Sequence, residues 1–298
     1  MPRRICIIFN PSAKGGKAVR FRRQMLEFES ECAFKPTTQA GAGELLAAEA
    51  VREGFETIVA AGGDGTVNEV LNGIANEPEG FRRARLAVLP IGTVNVFARE
   101  MKVPLNLRRA WESIRAGDEQ AIDLPWVDFR SGARRRCFAQ LAGAGFDARA
   151  IELVRLDLKK RIGPLAYVVA GLKALRSKPC SLTVRCDGES LRGDFVIVGN
   201  GKLYGGPVPI CPEANNTDGQ LDICLFPRTT LAGIARHVAA CLSPRLRNWS
   251  PAVMRQASAL EIEGEEGVPL ELDGDLAGRI PARCSIEPRG LRVVVPAA

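Results

Sequence analysis

The first hundred residues alternate short apolar runs with helical patterns. Ile5-Cys6-Ile7-Ile8-Phe9 ends at Asn10-Pro11, Thr57-Ile58-Val59-Ala60-Ala61 ends at Gly62-Gly63, and Leu86-Ala87-Val88-Leu89 ends at Pro90. Runs without polar alternation suit strands buried on both faces of a parallel sheet. Residues 18–28, 44–53 and 67–75 carry helical spacing between them, as the crossovers of parallel strands require, and 107–115 predicts one more helix. Beyond about residue 125 strand patterns follow one another, at 137–142, 181–186, 194–198, 221–226, 257–262, 269–272, 282–287 and 291–295. Several alternate as antiparallel strands do, Ser181-Leu182-Thr183-Val184-Arg185 among them. Helical stretches recur at 148–158, 165–176 and 230–242. The pattern predicts an α/β domain over 1–127 and a β-rich domain over 128–298, with the last strand able to return to the first domain.

Composition narrows the chemistry. The 298 residues are 46% hydrophobic and 25% charged, which is globular and not disordered. A single histidine, His237, excludes two-histidine metal sites, and any histidine-dependent hydrolase would have to be built on it alone. The nine cysteines form no C-x-x-C pair, which excludes zinc ribbons and thioredoxin-type motifs and suits reduced thiols in a cytoplasm. Net charge is +7, and 32 of the 41 basic residues are arginine. That balance favours an anionic partner such as phosphate or an acidic membrane surface, and a solvated arginine-rich surface explains any single cluster equally well. Nucleic acid is not expected, because no aromatic–basic or helix-turn-helix signature accompanies the charge. No run approaches the roughly 18 apolar residues of a membrane span, and the opening MPRRICIIFNP is too short for a secretory core, so membrane contact would be peripheral.

Three loops at strand ends carry the candidate chemistry, where open α/β sheets bind ligands. The first is Asn10-Pro11-Ser12-Ala13-Lys14-Gly15-Gly16-Lys17. Its glycines and the helix behind suit a phosphate, but it lacks the Walker A spacing, and alone it reads equally as a plain turn. The second is Gly62-Gly63-Asp64-Gly65-Thr66-Val67-Asn68-Glu69. Three glycines in four positions let phosphates approach the backbone, and the Asp64 carboxylate beside them calls for a cation such as Mg²⁺. Asn68 and Glu69 are expected in the first turn of the following helix. The third is Gly92-Thr93-Val94-Asn95-Val96-Phe97-Ala98-Arg99, where Thr93 and Asn95 offer neutral hydrogen bonds and could equally be helix caps.

Taken together, the loops resemble the diacylglycerol kinase catalytic domain family of bacterial lipid kinases and sphingosine kinases. Thr38 matches that family's threonine before its second helix, Thr217-Asp218-Gly219-Gln220-Leu221-Asp222 looks like its D-G-x-L-D segment, and Leu272-Asp273-Gly274-Asp275 looks like its D-G-E segment. Gly199-Asn200-Gly201-Lys202-Leu203-Tyr204-Gly205-Gly206 fits its glycine-rich stretch, and the resemblance runs from about residue 3 to 295. It implies an α/β nucleotide domain similar to those of phosphofructokinase and NAD kinase, a C-terminal β-sandwich, and an active site in the cleft. It implies ATP and Mg²⁺ as cofactors, with ATP on Asn10, Pro11, Ser12, Lys14, Gly15, Thr38, Gly62, Gly63, Asp64, Gly65, Thr66, Asn68, Glu69, Thr93 and Asn95. It assigns Asp273 as the base that accepts the proton of a lipid hydroxyl, although Leu-Asp-Gly-Asp is also ordinary hairpin chemistry. It assigns a second cation to Asp218, with the carbonyls of Asn215 and Gln220.

The chain departs from the family pattern at three positions. Val96 stands where many bacterial members have Asp, Asp275 replaces the usual Glu, and Ala42 stands where a His is often found. The expected activity is transfer of the ATP γ-phosphoryl to a lipid hydroxyl, with diacylglycerol as acceptor. Other lipids (a sphingoid base, monoacylglycerol, phosphatidylglycerol), then NAD, then a nucleotide-binding regulator without turnover are the alternatives. The expected setting is the cytoplasm, peripheral to the inner face of the membrane, with a homodimer left open. Arg82-Arg83-Arg85, Arg134-Arg135-Arg136 and Lys159-Lys160-Arg161 are candidate headgroup contacts, at about 1 kcal/mol per charge near an anionic surface. The apolar run 165–170 reads better as a buried helix face than as an acyl cleft.

Overall fold

The computed structural model describes residues 4–11, 32–116, 118–153, 180–265 and 267–297. The chain divides into two compact units. The first comprises 1–124, 205–207 and 287–298, and the second 125–204 and 208–286.

In the first unit the apolar runs become the strands β1 (Ile5–Phe9), β3 (Thr57–Gly62) and β4 (Arg85–Pro90). A further strand, β2 (Cys32–Pro36), lies outside β1. All neighbours are parallel, in the order β2-β1-β3-β4. β3 and β4 are buried at every position, which is why they read as unbroken apolar sequence. The helices α1 (Ala42–Arg52) and α2 (Asp64–Ala75) pack on each other, followed by α3 (Gly80–Arg83), α4 (Val96–Glu100) and α5 (Leu107–Ala116). The predicted helix 18–28 lies outside the described residues. α2 begins at Asp64, three residues before the apolar periodicity does, so Asn68 and Glu69 fall in its second turn and not its first. The reason is local: Gly63 takes the N-cap position in extended conformation, and the small or polar Asp64, Gly65 and Thr66 form the first turn without apolar side chains.

In the second unit β5 (Glu119–Phe129, entering from the first), β6 (Arg136–Cys137), β8 (Leu182–Cys186), β9 (Glu189–Gly193), β15 (Ala259–Gly264) and the first part of β18 (Ala282–Val294) form one antiparallel layer. The other layer runs β14-β13-β10-β7-β16-β17, from Val253–Ala257, Leu221–Phe226, Phe195–Gly199, Leu141–Gly145, Pro269–Leu272 and Asp275–Arg279. A short ribbon joins β11 (Leu203–Tyr204) to β12 (Val208–Pro209). The core of this β-sandwich includes Val127, Phe138, Val184, Val196, Val198, Ile223, Leu225, Leu260 and Leu270. The alternate residues of β10 and β13 (Phe195, Ile197, Cys224, Phe226) face a second cluster, against which Ile234 and Val238 of α7 (Leu231–Leu242) pack. Both strands are thus covered on both sides.

Three strand predictions change. The run 137–142 splits into β6 and β7, 257–262 becomes the end of β14 and most of β15, and 282–287 with 291–295 merge into the single long β18. The last part of β18 belongs to the first unit and pairs parallel to β4 through Val293 and Leu86. Of the predicted helix 148–158, the described residues form α6 (Phe146–Glu152), and 165–176 lies outside the described residues.

Candidate active site

Register brings the predicted loops of the first unit to one edge. Phe9 pairs with both Pro36 and Ala61, Ala61 pairs with Leu89, and Gly62 pairs with Pro90. The carboxyl ends of β1, β2, β3 and β4 therefore sit side by side, and Asn10, Thr38, the 62–66 loop and the 92–95 loop all leave from that edge. Pro11 follows Asn10 there, exposed. Ser12, Lys14 and Gly15 lie outside the described residues. Backbone bonds lock the edge: Asn10 N donates to Ala61 O at 3.2 Å, Thr37 N to Phe9 O at 2.8 Å, and Gly92 N to Gly62 O at 3.1 Å.

The two glycine loops touch. A Cβ on Gly92 would collide with the Cα of Gly63, and one on Gly62 would collide with the side chain of Thr66. Only glycine fits there, and the amides at the start of α2 are left open to a ligand. Asp64 is half-buried, and its Oδ1 accepts from Phe97 N at 3.1 Å, which ties the second loop to α4. Asn95 sits at φ 55 and donates from Nδ2 to Gly92 O at 2.9 Å, while its buried Oδ1 has no hydrogen-bond partner. An acceptor held without a donor beside a glycine cradle fits a nucleotide bearing N–H or O–H groups. Thr93 and Thr38 are exposed at the same edge.

Two expected ligands turn inward. Glu69 accepts from Gly41 N and Gly43 N, both at 2.8 Å, so its carboxylate shapes the turn after Thr38. Asn68 is buried inside α2 and accepts from Asn72 Nδ2 at 3.2 Å.

In the second unit Asp273 and Gly274 form a two-residue turn between β16 and β17, both at positive φ (50 and 92), the backbone that Asp-Gly hairpins favour. The hairpin chemistry and a placed carboxylate coexist. Asp273 Oδ2 accepts from Ala139 N at 2.8 Å, and Oδ1 accepts from Gln140 N at 2.8 Å and Leu141 N at 3.1 Å. Asn200 Nδ2 holds Ala139 O at 3.1 Å, and Gln140 Nε2 donates to Leu203 O at 3.2 Å, so the glycine-rich 199–206 stretch braces the same loop. Gln140 and Asn200 were not among the predicted site residues, because their partners are main-chain atoms about sixty residues away.

The 215–220 segment is a tight turn. Asp218 Oδ1 accepts from Gln220 N at 3.0 Å, Asp218 N approaches Asn215 O at 3.4 Å, and Thr217 Oγ1 donates to Asn215 Oδ1 at 2.8 Å. Its donors are hard oxygens, the kind Mg²⁺ takes. Among the described residues no cluster of three or more His, Cys, Asp or Glu side chains is gathered as a metal site. Burial pushes the neighbouring Asp222 carboxyl up to about 6, and Gln256 Nε2, 3.3 Å from Oδ1, partly offsets this.

The basic clusters divide. Arg85 is buried, donates to Thr57 Oγ1 at 2.9 Å and pairs with Glu119 at 3.5 Å, so it is no headgroup contact. Arg82 is exposed beside Glu79, and Arg135 stacks 4.3 Å over Trp126. Lys159, Lys160 and Arg161 lie outside the described residues. Among the described residues no helix is long and apolar enough to cross a membrane.

Residues 4–127 match the model of the diacylglycerol kinase catalytic domain, and 140–295 match that of the YegS C-terminal NAD kinase beta sandwich-like domain. The "Probable lipid kinase YegS-like" of Stenotrophomonas maltophilia is 32% identical over 308 aligned residues, covering 98% of this chain and 96% of the relative. The diacylglycerol kinase of Staphylococcus aureus is 29% identical, covering 99% of this chain and 93% of the relative. A solved structure of a diacylglycerol kinase from Bacillus anthracis strain Sterne superposes with a TM-score of 0.78 at 22% identity, over 98% of this chain and 97% of that one.

Proposed function

The chain belongs to the diacylglycerol kinase-like family of lipid kinases, and from that premise we propose that it transfers the γ-phosphoryl of ATP to the hydroxyl of diacylglycerol, giving phosphatidic acid. The observation that carries the nucleotide half is the shared carboxyl edge, where the Gly63–Gly92 approach keeps side chains out and the unpartnered Asn95 Oδ1 offers an acceptor. The name borne by the relatives supports diacylglycerol as acceptor.

Phosphoryl transfer is mostly positioning and charge neutralisation. The phosphates would lie on Gly62, Gly63, Gly65 and Thr66 at the start of α2, with Asn10, Pro11, Thr38, Thr93 and Asn95 around them and Ser12, Lys14 and Gly15 completing the first loop. Glu69 and Asn68 would hold the shape of that site from behind. Asp64 would act through a Mg²⁺ that neutralises phosphate charge, and Asp218 with the carbonyls of Asn215 and Gln220 would hold a second, structural Mg²⁺. Asp273, oriented by three amides, would accept the proton of the lipid hydroxyl as the new P–O bond forms. The enzyme would draw its substrate from the inner face of a membrane by peripheral contact from the cytoplasm.

The Asp273→Asn variant tests the base. Asparagine keeps an acceptor for Gln140 and Leu141 but takes no proton. The expected result is a fall in kcat of about 10²–10⁴-fold, with ATP affinity unchanged by calorimetry. Wild-type turnover in that variant would remove Asp273 from the chemistry.

A further inference from the structure

Behind the Asp273 turn lie two more carboxyl groups that the reaction as described does not use. Asp147 is 5% exposed and Glu271 is 0% exposed. Asp147 stands in the first turn of α6, and Glu271 stands on β16 two residues before Asp273. Asp147 Oδ2 and Glu271 Oε1 both lie 2.8 Å from the point where a Cβ on Gly143 would stand, so Gly143 leaves the space in which the two meet. Neither oxygen has a hydrogen-bond donor from any other group. The opposite oxygens are both engaged: the Tyr204 hydroxyl donates to Asp147 Oδ1, and Gly274 N donates to Glu271 Oε2 at 2.7 Å.

Two facing carboxylates without a donor repel, and burial adds to the cost, so such a pair holds one proton between its members. Burial first, then the Asp147 charge, pushes the Glu271 carboxyl well above the usual range, and burial pushes Asp147 up as well. Among the described residues little else charged faces the pair. β7 is Leu-Ala-Gly-Ala-Gly and contributes no titratable group. The turn contributes the Asp273 carboxylate, which also raises Glu271. On β17, Arg279 is directed to Glu152 of α6 at 2.8 Å, and Asp275 is exposed. Arg149 of α6 acts on Cys180. Tyr204 is the remaining ionisable neighbour among the described residues.

We propose that Asp147 and Glu271 share one proton, and that this bridge is a positioning device which holds the Asp273–Gly274 turn in its working geometry. The chain of contacts runs from the 199–206 stretch through Tyr204, Asp147, the proton and Glu271 to the Gly274 amide. Losing the proton leaves two adjacent buried anions and releases the turn. The kinetic consequence rests on Asp273 being the base, whereas the shared proton does not.

The test uses the full chain and the variants Glu271→Gln and Asp147→Asn, in each of which an amide N–H permanently replaces the shared proton. ¹³C carboxyl resonances of the wild type should show one carboxyl of this pair still protonated at pH 7, absent in Glu271→Gln. The Gly274 amide should exchange faster as that resonance titrates. With ATP and diacylglycerol in mixed micelles, wild-type kcat should fall on the alkaline side, and either variant should move that limb up by at least about one pH unit. A merely structural role would lower stability and leave the limb in place. The proposal is overturned if the wild-type pair shows no protonated carboxyl at pH 7, or if the alkaline limb stays fixed in both variants. Turnover unaffected by Asp273→Asn would defeat the base assignment alone, and the carboxyl and Gly274 resonances would still decide the shared proton.

Discussion

His237 has both ring nitrogens engaged inside the fold. Nε2 lies 2.9 Å from Ile210 O, which can only accept, so Nε2 carries the proton, and Nδ1 accepts from Ser250 Oγ at 2.7 Å. Phe226 packs edge-on at 5.2 Å, and the ring is 2% exposed. Burial lowers its proton affinity, outweighing the Ile210 carbonyl. The unfolded chain therefore binds a proton that the folded one refuses, and stability should fall as pH drops below about 6.5. His237→Gln should flatten the slope of Tm against pH between about 6.5 and 5, and an unchanged slope would mean the ring titrates normally. At this scale sequence was a partial guide. The glycines of the nucleotide loops and the Asp-Gly turn were legible because each has a local cause. Glu271 was not, since Leu-Glu-Leu on a strand reads as one polar residue facing water, and only the sandwich reveals that β16 is buried on both faces. The amides that hold Asp273 lie more than 130 residues away in sequence, beyond any local pattern.

Between elements, the link from α2 to the N-terminus of α1 has a definite strength. Glu69 binds the Gly41 and Gly43 amides with one carboxylate, a charge-assisted pair across separate helices. Glu69→Ala should destabilise the fold by about 1–3 kcal/mol, seen as a lower urea midpoint with unchanged m. The KM for ATP should rise with it, because the turn after Thr38 loosens. An unaltered midpoint would show that water replaces the carboxylate without loss. The strands buried on both faces were the most legible elements, because only such strands read as unbroken apolar sequence. β2 was missed: Cys-Ala-Phe-Lys-Pro is half-buried at the sheet edge, and its Lys35 is held by Glu49 and Glu53. The early start of α2 was missed for the opposite reason, since its first turn is made of residues that carry no hydrophobic signal.

The whole molecule is a parallel α/β unit and a β-sandwich unit, with β18 beginning in the second and ending in the first. The first unit carries the glycine edge, and the second carries the Asp273 turn. That division follows from topology, which sequence order alone conveyed only as a change from alternating strands and helices to consecutive strands. Transfer of labelled γ-phosphate from ATP with Mg²⁺ tests the assignment directly, in mixed micelles containing diacylglycerol, monoacylglycerol, phosphatidylglycerol, ceramide or sphingosine, with NAD as a separate acceptor. The outcome expected of this assignment is labelled phosphatidic acid from diacylglycerol. Label in NADP with none in any lipid would contradict it.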